Sequence, residues 1–337
     1  DRRWQMLRRA AFAALGLGVA VTVVLCVARA PMPVQFFDYH AMCEASAAVA
    51  VDASRFLVAD DQDSILRLYE RGKPEPISPQ RDLAEALGVP KQFTGKDRKT
   101  DIEGAAAIGN RIYWITGHAE RWRTQRLFFA TDFLGEGGTW DVKPVGTPYR
   151  SLREDLLGDK ATVGYIDNPE LRDSDAANGF NIEGLAVAPD GKQLLIGLRN
   201  PVAKGKALVV PLENPNDVLL KGVPPKFGKI IALHLDGHGI RSIDRVGDRY
   251  LIVAGAVRDE PGHSLYWWSG SRKKAPTLVR HRIGLPGDDF RPEALFAIPG
   301  TDKAQLLGDD GNVDARGAEC RKSAQENKKL RSIIITP

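Results

Sequence analysis

Cysteine is scarce in this 337-residue chain: Cys26, Cys43 and Cys320 are the only three, and no two are spaced Cys-x-x-Cys. That excludes a cysteine zinc site. Six histidines are scattered. The closest-spaced pair, His234 and His238, flanks Leu235-Asp-Gly in a strand-to-turn segment and reads as structural. Gly-x-Ser-x-Gly, P-loop and dinucleotide-binding fingerprints are all missing, which removes the ready-made signatures of several large enzyme classes. A basic domain is missing too. The formal charge is +4, but residues 1–30 hold Arg2, Arg3, Arg8, Arg9 and Arg29 against Asp1 alone. That surplus accounts for the whole imbalance. The rest of the chain is neutral, which excludes the electrostatic footprint of nucleic-acid binding.

What is present begins with a long apolar run. Residues 10–28 carry no charge, follow a basic stretch, and precede Arg29 and the Pro31-Met-Pro linker. Nineteen helical residues reach about 29 Å, close to the hydrocarbon thickness of a bilayer. Residues 1–30 are therefore expected to be a membrane anchor or a signal peptide. The arginines before the run place the remainder, residues 31–337, on the extracytoplasmic side, either anchored in the inner membrane or secreted. Outside the cytoplasm two cysteines invite a disulfide, so Cys43–Cys320 is expected.

The remainder repeats itself five times. An acidic residue, small residues, a turn and an apolar run recur: Cys43-Glu-Ala-Ser-Ala-Ala-Val then Phe56-Leu-Val-Ala-Asp; Ile102-Glu-Gly-Ala-Ala-Ala-Ile then Ile112-Tyr-Trp-Ile-Thr; Ile182-Glu-Gly-Leu-Ala-Val then Gln193-Leu-Leu-Ile-Gly; Ile240-Arg-Ser-Ile-Asp-Arg-Val then Tyr250-Leu-Ile-Val-Ala; and Pro292-Glu-Ala-Leu-Phe-Ala-Ile then Gln305-Leu-Leu-Gly-Asp. Third strands follow at 65–69, 127–131, 207–211, 265–268 and 331–336. Fourth strands follow at 140–145, 230–235 and 277–282, with a poorer one at 75–78. Four short strands per unit predict an all-β, five-bladed propeller. The last copy lacks a fourth strand and the orphan strand 34–40 lacks a sheet, so the N-terminal strand is expected to close the last blade. A six-bladed ring is the alternative. Short helices are expected at 152–157 and 83–87.

The run Asn181-Ile-Glu-Gly-Leu-Ala-Val-Ala-Pro-Asp-Gly-Lys, then Ile196-Gly-Leu-Arg-Asn-Pro, with Gly239-Ile-Arg-Ser-Ile-Asp and Arg291-Pro-Glu-Ala-Leu, resembles a bacterial propeller-like family of unknown function (domain of unknown function 3616). The resemblance covers roughly residues 44–337. The Ile-Glu-Gly-Leu-Ala element is also similar to one in phytase-like and esterase-like propellers. As a short motif it implies the fold and no activity.

Aligned by repeat, the inner strands open with Glu44, Glu103, Glu183, Arg241 and Glu293. Second strands return to the same face and end in Asp60 and Asp61, Thr116 and His118, Arg199, Arg258, and Asp309 and Asp310. Two readings follow. Clustered carboxylates call for a cation, and oxygen ligands suit Ca²⁺ or Mg²⁺, with Arg199 and Arg241 holding an anionic small molecule such as a phosphate or carboxylate. Alternatively each Glu is a blade-to-blade clamp, which repetition favours. Asp309 and Asp310 are the expected metal or acid–base pair. Trp122, Trp267 and Trp268 are candidates to stack on a sugar. The expected activity is a metal-assisted ester or phosphoester hydrolase at the channel mouth. The rival is a non-catalytic envelope propeller that binds a ligand or protein.

Overall fold

The computed structural model describes residues 36–89, 100–119, 126–136, 139–166, 179–258, 260, 262–283, 289–313 and 318–337. The anticipated anchor at 1–30, the first two residues of the orphan strand, and Trp122 lie outside the described residues. Among those described, no helix is long and apolar enough to cross a membrane.

Among the described residues, twenty strands form five four-stranded antiparallel sheets. Blade one holds β2 (Ala45–Ala50), β3 (Arg55–Asp60), β4 (Ile65–Glu70) and β5 (Pro76–Asp82). Blade two holds β6 (Ile102–Ile108), β7 (Arg111–Thr116), β8 (Phe128–Glu136) and β9 (Thr139–Tyr149). Blade three follows with β10 (Asn181–Val187), β11 (Leu194–Asn200), β12 (Ala207–Leu212) and β13 (Ile231–Leu233). Blade four contains β14 (Gly239–Val246), β15 (Arg249–Gly255), β16 (Ser264–Trp268) and β17 (Thr277–Arg280). Blade five is β18 (Pro292–Ala297), β19 (Ala304–Gly308) and β20 (Lys329–Ile335), completed by β1 (Phe36–His40). The inner strands β2, β6, β10, β14 and β18 each neighbour the next, and β18 returns to β2. This is a closed five-bladed propeller. Its closure is the anticipated one, with Phe36 opposite Ile333 and His40 opposite Lys329.

The second strands read as unbroken apolar runs because each is covered on both faces. In β15, Tyr250, Ile252 and Ala254 pack toward blade three, beside Leu195 and Val209. Leu251 and Val253 pack toward blade five, beside Leu306 and Ile333. The inner strands need small residues for the opposite reason. A Cβ on Gly184 would stand 2.9 Å from Ile243 Cγ2 and 3.2 Å from the Cα of Gly197.

Helix α1 (Leu152–Gly158) covers the expected segment. Residues 83–87 form a turn closed by the Leu87 N–H on the Leu83 carbonyl at 2.9 Å, rather than a helix. Helix α2 (Pro215–Lys221) is absent from the strand-and-turn reading. Its signals are nonetheless present: proline at the first helical position, and Gly222 at φ 65° where the helix stops.

Candidate functional site

All five inner strands carry a register shift at the same place. It falls between Ala45 and Ala47, Ile102 and Gly104, Ile182 and Gly184, Ile240 and Ser242, and Pro292 and Ala294. A β-bulge leaves one residue unpaired and re-aims its side chain. The bulged residues are Ser46, Glu103, Glu183, Arg241 and Glu293. The first repeat is therefore displaced by two residues from the sequence alignment: Ser46, not Glu44, is the counterpart of Glu103. Ser46 ties blade one to blade two by donating to the Ile102 carbonyl.

Glu44 belongs to a second ring of positions, two residues earlier, made of Glu44, Asp101, Asn181, Gly239 and Arg291. Backbone bonds confirm the equivalence. Asp61 N–H donates to the Glu44 carbonyl, Gly117 N–H to Asp101, and Asp309 N–H to Arg291. Around this ring the chemistry runs from acidic through neutral to basic.

The bulge ring splits into two halves. In blades three to five the charges are matched. Arg241, 1% exposed, reaches Glu183 Oε2 at 3.3 Å and Glu293 Oε1 at 3.2 Å, and donates to the carbonyls of Ala256 and Arg258. Arg199 reaches Glu183 Oε1 at 2.8 Å and donates to the Val257 carbonyl. The anions held by Arg199 and Arg241 in this fold are thus the protein's own Glu183 and Glu293. Arg258 is exposed at the same end.

In blades one and two carboxylates crowd together. One oxygen each from Glu44, Asp60 and Asp61 lie within 4.8 Å of one another, and so do oxygens from Asp61, Asp101 and Glu103. Two carboxylates at that spacing repel by about 3 kcal/mol at an effective dielectric of about 20. The carboxyls respond. Burial, then Asp61, Asp309 and Asp60, push Glu44 up to about 9 against a partial offset from Arg321. Burial, Asp63 and Asp61 push Asp60 up to about 7 against a partial offset from Arg67 and the Gln62 N–H. Glu103 is partly open to the axis yet enclosed by protein. It is raised well above the carboxylate range by burial, then by Asp101, Glu183, Glu293 and Asp61.

Two buried oxygens face this half without a hydrogen-bond partner: Glu44 Oε2 and Asn181 Oδ1. A Cβ on Gly117 would meet Asn181 Oδ1 at 2.5 Å and Asp101 Oδ2 at 2.7 Å, so both oxygens border the space the glycine leaves. The donor set is all oxygen, which fits a hard divalent cation such as Ca²⁺ or Mg²⁺. Asp101, at φ 57°, precedes its strand and is the candidate ligand that repeat alignment overlooks. An acidic or amide residue just before the inner strand or opening it, in Glu44, Asp101 and Asn181, is the signal that finds it.

The remaining expected residues sit elsewhere. Asp309 lies against Glu44, whose carboxyl it raises. Asp310 turns away and is paired with Arg331 at 2.6 Å, so the two neighbours do not act together. His118 is buried, with Nδ1 on the Thr116 carbonyl at 2.7 Å and Nε2 without a partner. Burial holds it down at about 4. Trp268 donates to the Ser271 carbonyl from the core between blades three and four, and Trp267 packs under Arg249. Cys43 and Cys320 form a disulfide with Cα atoms 5.9 Å apart. It sets Arg321 beside Glu44 Oε1 at 2.9 Å. Surface hollows at the outer edge of blade two, lined by Arg81, Phe133 and Trp140 or by Arg111 and Asn216, share no residue with this cluster.

Residues 148–305 match the family described as "Protein of unknown function (DUF3616)". The match runs from the end of blade two into blade five, and so includes Asn181, Glu183, Arg199, Arg241 and Glu293. Among solved structures, glutaminyl cyclase of Myxococcus xanthus is similar at 10% identity and a TM-score of 0.45, over 89% of this chain and 94% of that one. A putative oxidoreductase (glucose dehydrogenase) of Thermus thermophilus is similar at 12% identity and a TM-score of 0.44, over 90% and 100%. The Cps50 (Swd1) β-propeller domain of Myceliophthora thermophila has 11% identity and a TM-score of 0.38, over 87% and 83%. None of these likenesses carries an activity to this chain. No curated protein matches the sequence.

Proposed function

We propose that this propeller is an extracytoplasmic, divalent-cation-dependent protein that hydrolyses an ester or phosphoester at the axial mouth of blades one and two. The observation that carries the reading is the convergence of carboxylates in the half-ring of blades one and two. Asp61, Asp101 and Glu103 converge within 4.8 Å, with Asn181 Oδ1 buried and unpartnered beside them. Asp61, Asp101, Glu103 and Asn181 would hold the cation. Its chemistry would be Lewis-acid polarisation of a substrate oxygen. The protein's own part is to fix the ligand oxygens on strand ends, where the blade cores hold them rigid. The Cys43–Cys320 disulfide supports an oxidising compartment.

The test is a thermal-shift screen of the full chain against Ca²⁺, Mg²⁺, Mn²⁺ and Zn²⁺, run beside an ester and phosphoester substrate panel. A cation bound at a hundred times its dissociation constant stabilises by about 2.7 kcal/mol. Ca²⁺ or Mg²⁺ should raise the melting temperature and support turnover. A cation-induced shift without turnover of any substrate would leave a binding propeller. No shift with any cation would refute the site.

A further inference from the structure

Arg199 and Arg241 do more than neutralise Glu183 and Glu293. Between them they hold three consecutive carbonyls of the loop that leaves β15. Arg241 Nη2 donates to Ala256 at 3.1 Å and to Arg258 at 3.1 Å, and Arg199 Nε donates to Val257 at 2.7 Å. The Glu260 N–H closes on the Arg258 carbonyl at 2.8 Å. In a planar trans peptide unit the N–H points opposite to the C=O. The cis bonds are at Ser78–Pro79 and Asn200–Pro201, so the units of this loop are trans. Turning the Ala256 and Val257 carbonyls in toward the arginines therefore turns the N–H groups of Val257 and Arg258 away from them.

We propose that this loop is an oxyanion-binding subsite, in which the N–H groups of Val257 and Arg258 and the Arg258 guanidinium hold a phosphate or carboxylate group. It lies in blade four, which neighbours blades three and five and so stands across the axis from the cation position proposed above. It does not depend on that cation.

The donors are unspent. Among the described residues nothing accepts from the Val257 or Arg258 N–H, and the exposed Arg258 side chain makes no hydrogen bond or ion pair. They are also fixed in place. The arginines that prop the loop are 7% and 1% exposed, so the peptide units are held from inside the protein. Donors aimed beforehand in this way need no reorganisation when an oxyanion arrives. A guanidinium on each carbonyl further polarises the peptide unit and strengthens the N–H at its other end. His263 marks the same corner. It is 1% exposed and neither ring nitrogen has a partner. A Cβ on Gly255 would stand 3.0 Å from His263 Nε2 and 3.0 Å from Arg241 Cγ, so ring and arginine stem share the space this glycine leaves. Gly255 is not at positive φ, so the glycine serves that space rather than the backbone. A neutral imidazole adds one more N–H to the corner. Donors are what this corner has to offer, so the ligand it fits is an acceptor.

The experiment titrates the chelator-treated full-length chain with inorganic phosphate and with acetate at constant ionic strength. Selective ¹⁵N-valine and ¹⁵N-arginine labels report the Val257 and Arg258 amides. Both amides should shift together with one dissociation constant, and the anion that binds more tightly identifies the class. Arg258→Ala should weaken that binding about tenfold or more, as loss of a hydrogen bond to a charged group does. Arg258→Lys should keep part of it. The melting temperature of Arg258→Ala in chloride should equal that of the unmodified protein, because the side chain has no partner to lose. The subsite is overturned if neither anion moves the two amides, or if Arg258→Ala binds as tightly as the unmodified protein. A lowered melting temperature in chloride would make Arg258 a structural contact and overturn its role. Chelator is present throughout, so none of these outcomes bears on the cation.

Discussion

Arg241→Ala separates a clamp from a ligand-binding arginine. The side chain is 1% exposed, is shared between Glu183 and Glu293, and donates to two backbone carbonyls. Removing it leaves the part-buried Glu293 facing Glu183, which keeps Arg199, across two blades. Breaking a buried ion pair by deleting one partner costs about 3–5 kcal/mol, mostly the penalty of the stranded charge. The variant should therefore lose about that much, read from urea denaturation followed by fluorescence of the buried Trp114 and Trp268. Arg241→Met combined with Glu183→Gln and Glu293→Gln removes the charges together and should recover much of the loss. Whatever fraction of Arg241→Ala remains folded should still bind Ca²⁺, because its contacts lie in the other half of the ring. A loss under about 1 kcal/mol, or a triple variant no better than the single one, would refute the clamp.

Other perturbations test other parts of the ring. Reducing Cys43–Cys320, or replacing both by Ser, should lower stability by about 2–5 kcal/mol, toward the upper end because 277 residues separate them; melting with and without reductant measures it. Gly239→Ala would place a Cβ 1.8 Å from the Arg199 carbonyl oxygen, so it should part blades three and four and give little folded protein by circular dichroism. His118 is held neutral at about 4, below its ordinary 6.5. Its contribution to stability is fully present above about 6.5 and is lost as pH falls toward 4, on the order of 3 kcal/mol. The difference between unmodified protein and His118→Gln, followed by denaturation from pH 7 to 4, should show that slope. A pH-independent difference would refute it.

The architecture was legible because each blade repeats the same physical demand: a crowded inner strand of small residues, a turn, and a strand buried on both faces. The closing strand was legible by counting, since one blade lacked a strand and one strand lacked a blade. The first blade was misaligned for a reason intrinsic to sheets. A slip of two residues keeps every side chain on the same face, so the apolar pattern cannot tell Glu44 from Ser46. Hydrogen bonding can, since the bulge in β2 falls at Ser46. That slip hid the site. With Glu44 placed among Glu103, Glu183 and Glu293, the position holding Asp101 and Asn181 did not stand out as a ring of its own. Helix α2 was missed because its core-facing residues, Val218 and Leu219, are too few to set a helical period.

The corrected register changes what the repeated charge means. Four bulge positions carry a charged side chain, and a ring of like carboxylates would repel itself apart. Arg241 relieves this only for its two neighbours, Glu183 and Glu293. Glu103 sits across the axis from that arginine and next to Ser46, so no neighbouring bulge residue neutralises it. The preceding ring then sharpens the contrast rather than levelling it. It places Asp101 and Glu44 on the side already acidic, and Arg291 on the side already balanced. A structural ring would be expected to spread its charges evenly, because each buried imbalance costs stability. Concentrating five carboxylates in two adjacent blades, with oxygens of three of them within 4.8 Å of one another in each of two overlapping sets, is a donor pattern that a hard divalent cation fits.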